Sequence, residues 1–364
     1  MERFYTRDPI ILLCMLFVSV VGLLGVYSAT YLGQTSTLFF KQLFYVVFGW
    51  FIILLLPRFN FRTLLEYAPV VYGLNLFLLV LVPFVGKTVY GAKRWIDLGP
   101  VHIQPSEFMK YSLLLLSAYV LSRISSLKSK EFFIFLLAFL IPSALVLKQP
   151  DLGTTITYFF ILFSALFFFG LKLRYFIGFF VLLLLLSPLL WHFLKDYQKK
   201  RILAVLDPYE DYLGSGYQLI QSVIAIGSGG LFGKGFLKGT QSHLLFLPEK
   251  HTDFIFSVIA EEMGFFVSFP LITAFFVMAW RFLSYIPRAD IKEEVLFLGA
   301  FSTFLIFEVF VNFAMAMGFM PVVGIPLPFV SYGGSSTLTF SLMVGTALSI
   351  VKELRQKPIR FSNG

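Results

Sequence analysis

The residues that can do chemistry stand out here because so little else is polar. Residues 248–262 read PEKHTDFIFSVIAEE. Lys250, His251 and Asp253 gather at the start of an apolar helix, and Glu261 and Glu262 follow inside it. An ionisable group at membrane depth is costly, so such an acid is a functional candidate by default. Asp253 in a first helical turn would also complement the helix dipole, which keeps a structural role open. On one continuous helix Glu261 lies about 80° round and about 12 Å along from Asp253, so the two can flank a polar groove, while Glu262 must find another partner.

Other polar groups interrupt the apolar chain. In RWIDLGPVHIQPSEFMK (94–110), Pro105 suits a first helical position, with Gln104 or Ser106 as cap. Glu107 and Lys110 are three apart and share a helix face, either as an ion pair that holds packing or as the lining of a polar cavity. Arg94 just outside has the planar fork that suits phosphate. KQPDLGT (148–154) is a short turn that offers the cation Lys148 and the acid Asp151, a helix cap or a functional group. Glu308, inside a long apolar run, must be paired, hydrogen-bonded or protonated. GIPLPFVSYGGSS (324–336) breaks its helix with Pro and Gly, and Ser331, Tyr332, Ser335 and Ser336 offer hydroxyls for a sugar or phosphate. GSGGLFGKGFLKGT (227–240) departs from the Walker pattern, although Lys234 and Lys238 could meet a lipid phosphate. No GxSxG elbow is present, which argues against a serine hydrolase.

The elements that must position these groups are membrane helices. The 364 residues are 58% hydrophobic and only 13% charged, with 47 Phe. Apolar run length predicts ten spans, at 9–29, 38–56, 66–85, 105–122, 131–147, 152–170, 174–194, 252–280, 294–318 and 330–351. The expected fold is an all-α polytopic membrane protein of one transmembrane domain, 1–364. A long extracytoplasmic loop, 195–251, joins helices seven and eight, and a short interfacial or re-entrant helix is expected near Leu219–Ile224. The first run is too long for a signal peptide and reads as a retained span.

The net charge of +9 follows from loop asymmetry rather than from nucleic-acid binding. The N-terminus and alternate loops carry Arg3, Arg7, Arg58, Arg62, Arg123, Lys128, Lys130, Lys172, Arg174, Arg281, Arg288, Lys292, Lys352, Arg355, Lys357 and Arg360. The opposite short loops carry Lys41, Lys87, Lys93, Arg94 and Lys148. Both termini are therefore expected in the cytoplasm, and the polar segments on the outer face. Cys14 is a lone thiol in an apolar run, and the four histidines have no metal-ligand spacing, so no metal site is predicted.

Together these motifs resemble the SEDS family (shape, elongation, division and sporulation). The resemblance rests on RWIDLGPVHIQPSEFMK, KQPDLGT, GYQLIQSVIAIGSGGLFGKG, LPEKHTDFIFSVIAEE and PVVGIPLPFVSYGGSS, in family order. PEKHTDFIF and VVGIPLPFVSYGG are more similar to the elongation branch than to the division branch. The resemblance implies a ten-helix peptidoglycan glycosyltransferase of the bacterial cytoplasmic membrane. It would polymerise lipid II at the outer face during cell elongation, with a class B penicillin-binding protein, a transpeptidase, as partner. It places the family's essential acid at Asp253 and its intramembrane salt bridge at Glu107 and Lys110.

The chemistry fits such a role. A pyrophosphate leaves as a stabilised anion, so one base and several cations should suffice. Asp253 is the expected general base. Arg94, Lys110, Lys148 and Lys250 are the expected pyrophosphate cations, and Ser331 and Ser335 further substrate contacts. No cofactor is required by any motif, although a divalent cation would help to neutralise pyrophosphate. The rival expectations are a lipid II flippase or transporter, which also suits broken helices and a buried Glu308, and a scaffold that only activates its transpeptidase.

Overall fold

The computed structural model describes residues 8–31, 33–89, 92–97, 99, 102–209, 214–244 and 246–356. Arg3, Arg7, Lys357 and Arg360, which contribute to the orientation argument, lie outside the described residues. The chain begins with α1 (Pro9–Thr30), capped by Asp8, which accepts from the Ile10 amide, and α2 (Thr37–Leu55), capped by Ser36. A short α3 (Phe61–Glu66) leads into α4 (Ala68–Val85). Then come α5 (Pro105–Leu121), α6 (Lys130–Lys148), α7 (Leu152–Phe169) and α8 (Leu173–Phe193). The long connection holds α9 (Asp196–Leu206), α10 (Ser215–Gly229) and α11 (Thr240–His243). The chain closes with α12 (Ile255–Met263), α13 (Phe265–Leu283), α14 (Lys292–Ala316) and α15 (Gly334–Gln356).

The protein is an all-α polytopic membrane protein, and eight helices among the described residues are long and apolar enough to cross a membrane. The other two expected spans correspond to α5 and α8. Two details differ from expectation. A small antiparallel sheet, β1 (Lys87–Val89), β2 (Ala92–Asp97) and β3 (His102–Ile103), folds over the end of α4, with Thr88 opposite Lys93 and Ile96 opposite Ile103. The expected eighth span, 252–280, is broken. α12 stops at Gly264, whose φ of +68° is open to glycine, and α13 restarts at once. The break lets the 230–231 backbone dock, with the Phe265 amide donating to Gly230 O and the Phe266 amide to Leu231 O. The short helix expected in the loop is α10.

α14 and α15 form the centre of the bundle and bury most of their length. α2, α4 and α8 turn Phe and Leu outward, as at Phe44, Phe48, Leu184 and Leu185. Hydrocarbon gains nothing from burying such side chains, so helix association must come from close packing and from hydrogen bonds between helices. The structure supplies both. The rings of Phe304 on α14 and Phe340 on α15 stack at 5.8 Å, Tyr111 on α5 meets Thr346 on α15 at 3.0 Å, and Tyr158 on α7 donates to Ser106 O at 2.7 Å.

Candidate active site

Asp253 does not begin a long helix. It lies in a tight turn ahead of α12, outside the membrane-spanning helices, where the amides of Thr252 and Phe254 donate back to Glu249 O. The segment 322–333 holds this turn from the other side. Ser331 Oγ donates to Thr252 O at 2.7 Å and accepts from the Leu327 amide, and the Tyr332 amide donates to His251 O. Asn312, on α14, ties both pieces by donating to Asp253 O at 3.3 Å and to Ile325 O at 2.8 Å. Gly324, at φ +74°, lets the chain turn beside the acid; a Cβ there would sit 3.7 Å from Asp253 Oδ2. The backbone is thus clamped at several atoms, while among the described residues no hydrogen bond or ion pair engages the Asp253 carboxylate.

The carboxylate is half-buried among charges from three separate segments. Burial, then the neighbouring Glu249 carboxylate, then Asp151, push its pKa up to about 6, with Arg201 pulling the other way. Such a group is ionised at neutral pH yet basic enough to take a proton. Arg201, on α9, is fixed by donating Nη1 to Val322 O at 2.9 Å. Arg94 donates from Nε to Gln149 O at 2.9 Å and from Nη2 to Pro150 O at 2.6 Å, and approaches Asp151 at 3.7 Å. Asp151 also caps α7, accepting from the Thr154 amide.

The other expected site residues divide. Lys148 is exposed on the same turn as Asp151. Lys110 is not presented to a substrate phosphate: its Nζ lies 2.8 Å from Glu107 and 2.8 Å from Glu308, with all three side chains buried. Lys250 is buried as well and donates to Ser242 O, and burial lowers its pKa. The hydroxyl of Ser331 is taken by the turn it clamps, and that of Ser335 accepts from the Gln104 amide at 2.9 Å. Gln104 and Ser106 do not cap α5 with their side chains. Asp253 and Glu261 do not share a groove, because the helix that would align them starts only at Ile255. Glu261 instead accepts from Lys234 and from the amides of Thr240, Gln241 and Ser242. Glu262 accepts from Ser28 on α1 at 2.6 Å and from the Leu237 amide, and meets His243 at 2.9 Å.

Sequence reasoning missed Arg201, Glu249 and Asn312 as neighbours of Asp253. Asn312 carried a readable signal, a lone amide inside an apolar span, which must hydrogen-bond to another segment. Arg201 carried none, since it is one of several cations in a long loop.

The chain resembles known proteins over nearly its whole length. The family described as cell cycle protein, named for FtsW, RodA and SpoVE, matches residues 7–356. The peptidoglycan glycosyltransferase MrdB of Escherichia coli (strain K12) is 40% identical over 345 residues, 94% of this chain and 93% of that protein. The probable peptidoglycan glycosyltransferase FtsW of Geobacter metallireducens is 36% identical, across 96% of each chain. A chain from a solved peptidoglycan synthase complex that coordinates polymerization and crosslinking superposes with a TM-score of 0.79 at 34% identity, covering 96% of this chain and 99% of that one. The crystal structure of the rod shape determining protein RodA of Thermus thermophilus superposes with a TM-score of 0.72 at 30% identity, over 96% and 98%.

Proposed function

Since the chain belongs to the FtsW, RodA and SpoVE family of cell cycle proteins, we propose that Asp253 is the general base with which it polymerises lipid II. The protein is a peptidoglycan glycosyltransferase. The observation that supports the assignment is the contrast between a rigidly held Asp253 backbone and a carboxylate that has no hydrogen bond among the described residues. A base needs a fixed position and a free lone pair.

In the proposed reaction Asp253 takes the proton from the acceptor sugar 4-hydroxyl as that oxygen attacks the anomeric carbon of the donor. The bond from that carbon to the pyrophosphate oxygen breaks, and the lipid pyrophosphate departs as an anion without needing a proton. Arg94 and Arg201, each anchored by a backbone carbonyl, would stabilise that charge, with the exposed Lys148 as a third cation. Lys110 and Lys250 are assigned structural roles. A single transmembrane domain would lie in the bacterial cytoplasmic membrane, with both termini inside and the site at the outer face. There a class B penicillin-binding protein would crosslink the emerging strand.

The test is polymerisation of purified lipid II by the purified protein in liposomes. Wild type should give glycan ladders and Asp253→Asn none. Full ladders from Asp253→Asn would remove the base assignment, and lipid II scrambling without polymer would favour the transporter.

A further inference from the structure

The ion-paired cluster in the middle of the bundle is short of one positive charge. Glu107 and Glu308 each give one carboxylate oxygen, Oε1, to the same Lys110 ammonium. Ionised, the three groups carry one excess negative charge in a buried position, which low polarity makes expensive. The second oxygen of each acid, Oε2, is buried and has no hydrogen-bond partner among the described residues. Neither have Ser106 Oγ, Ser336 Oγ and Thr339 Oγ1, all on side chains more than nine-tenths buried.

Helix geometry brings these oxygens to one place. Phe304 on α14 stacks on Phe340 on α15. Glu308 lies one turn beyond Phe304, and Ser336 one turn before Phe340. The two helices run in opposite directions, so both steps lead the same way and Ser336 faces Glu308. Thr339 lies one turn from Ser335 and two turns from Thr346, both of which touch the α5 segment through the Gln104 amide and Tyr111. Thr339 therefore faces α5, in whose first turn Ser106 and Glu107 lie.

We propose that these oxygens bind one alkali cation between Glu107 and Glu308, with the hydroxyls of Ser106, Ser336 and Thr339 completing an all-oxygen shell. A single monovalent ion brings the charge to zero, whereas a divalent ion would overshoot it. Hard cations favour an oxygen set of this kind. A proton would also balance the charge, but it bridges only two oxygens and leaves the three hydroxyls as they are. The bound ion would brace α5, α14 and α15 against one another.

The full-length protein in detergent provides the test, with radiolabelled sodium as the probe at constant ionic strength. Saturable binding is expected, displaced by unlabelled sodium and not by choline. Glu308→Gln should abolish it. Thr339→Val, which keeps the shape and all charges, should weaken it while the protein still elutes as a single species. Absence of saturable sodium binding in the wild type, as water or a proton among these oxygens would give, overturns the proposal. So does undiminished binding in a correctly eluting Thr339→Val or Glu308→Gln protein.

Discussion

The two ends of α12 carry acids in opposite circumstances. At its C-terminal end Glu261 and Glu262 are surrounded by donors: Lys234, three consecutive backbone amides, Ser28, His243 and the Leu237 amide. Burial would raise the pKa of Glu261, but Lys234, the Gln241 amide and Thr240 outweigh it and hold the acid below its ordinary value. Just ahead of its N-terminal end Asp253 has its backbone clamped and its carboxylate unengaged among the described residues, and its pKa moves upward. The same side-chain chemistry thus ties a long loop to the bundle in one place and, in the proposed reaction, meets a substrate in the other. What separates them is how many donors the fold brings to the carboxylate.

Separating activity from stability tests this contrast most severely. Asp253→Asn should lower the polymerisation rate by about 10²–10⁴-fold and leave the thermal unfolding midpoint almost unmoved. A large fall in the midpoint would mean that Asp253 is a tie like the other two. Glu261→Ala should do the reverse and destabilise by about 1–3 kcal/mol, because it leaves buried amides without an acceptor. Limited proteolysis should then cut more readily between 230 and 243, and an unchanged digestion pattern would weaken the tie assignment.

Gly324→Ala should cost about 1–2 kcal/mol from the left-handed backbone, with little loss of turnover, since the added Cβ meets the acid only at ordinary contact distance. Thermal unfolding and initial rates check the two halves separately. The finest probe is pH. The rate should rise as pH increases through about 6 and level off above it, because the base must be ionised. Glu249→Gln should move the inflection to lower pH and Arg201→Gln to higher pH, as their charges dictate. The stability linkage has the opposite sense. The folded state holds the Asp253 proton more tightly than the unfolded chain, so this group's contribution declines as pH rises from 3.8 to about 6. Inflections that stay put in both variants would place another group in control of the rate.

Much of this architecture was legible in one dimension. Long apolar runs require helices in a bilayer, and the positions of α1, α6, α7 and α14 follow from them closely. The pairing of Glu107 with Lys110 is local, set by their spacing on one helix. The break at Gly264 was not legible, because an apolar run reads on through it. Only the docking of the 230–231 backbone shows why the helix must stop there. Lys110 and Lys250 looked like phosphate ligands for a similar reason. Sequence shows a cation and its neighbours in the chain, but not the carboxylate or carbonyl that a distant segment brings to it.

The opening stretch shows where the division falls. Residue types and motif spacing alone determined a polytopic helical membrane protein, with four of its 20 acids in PEKHTDFIFSVIAEE. These depend on hydrophobicity and local period, which the chain carries within itself. Tertiary structure alone decided which of those acids is left unengaged. The hydrogen bonds that engage Glu261 and Glu262 come from residues more than ten positions away, such as Lys234 and Ser28, and folding is what gathers them.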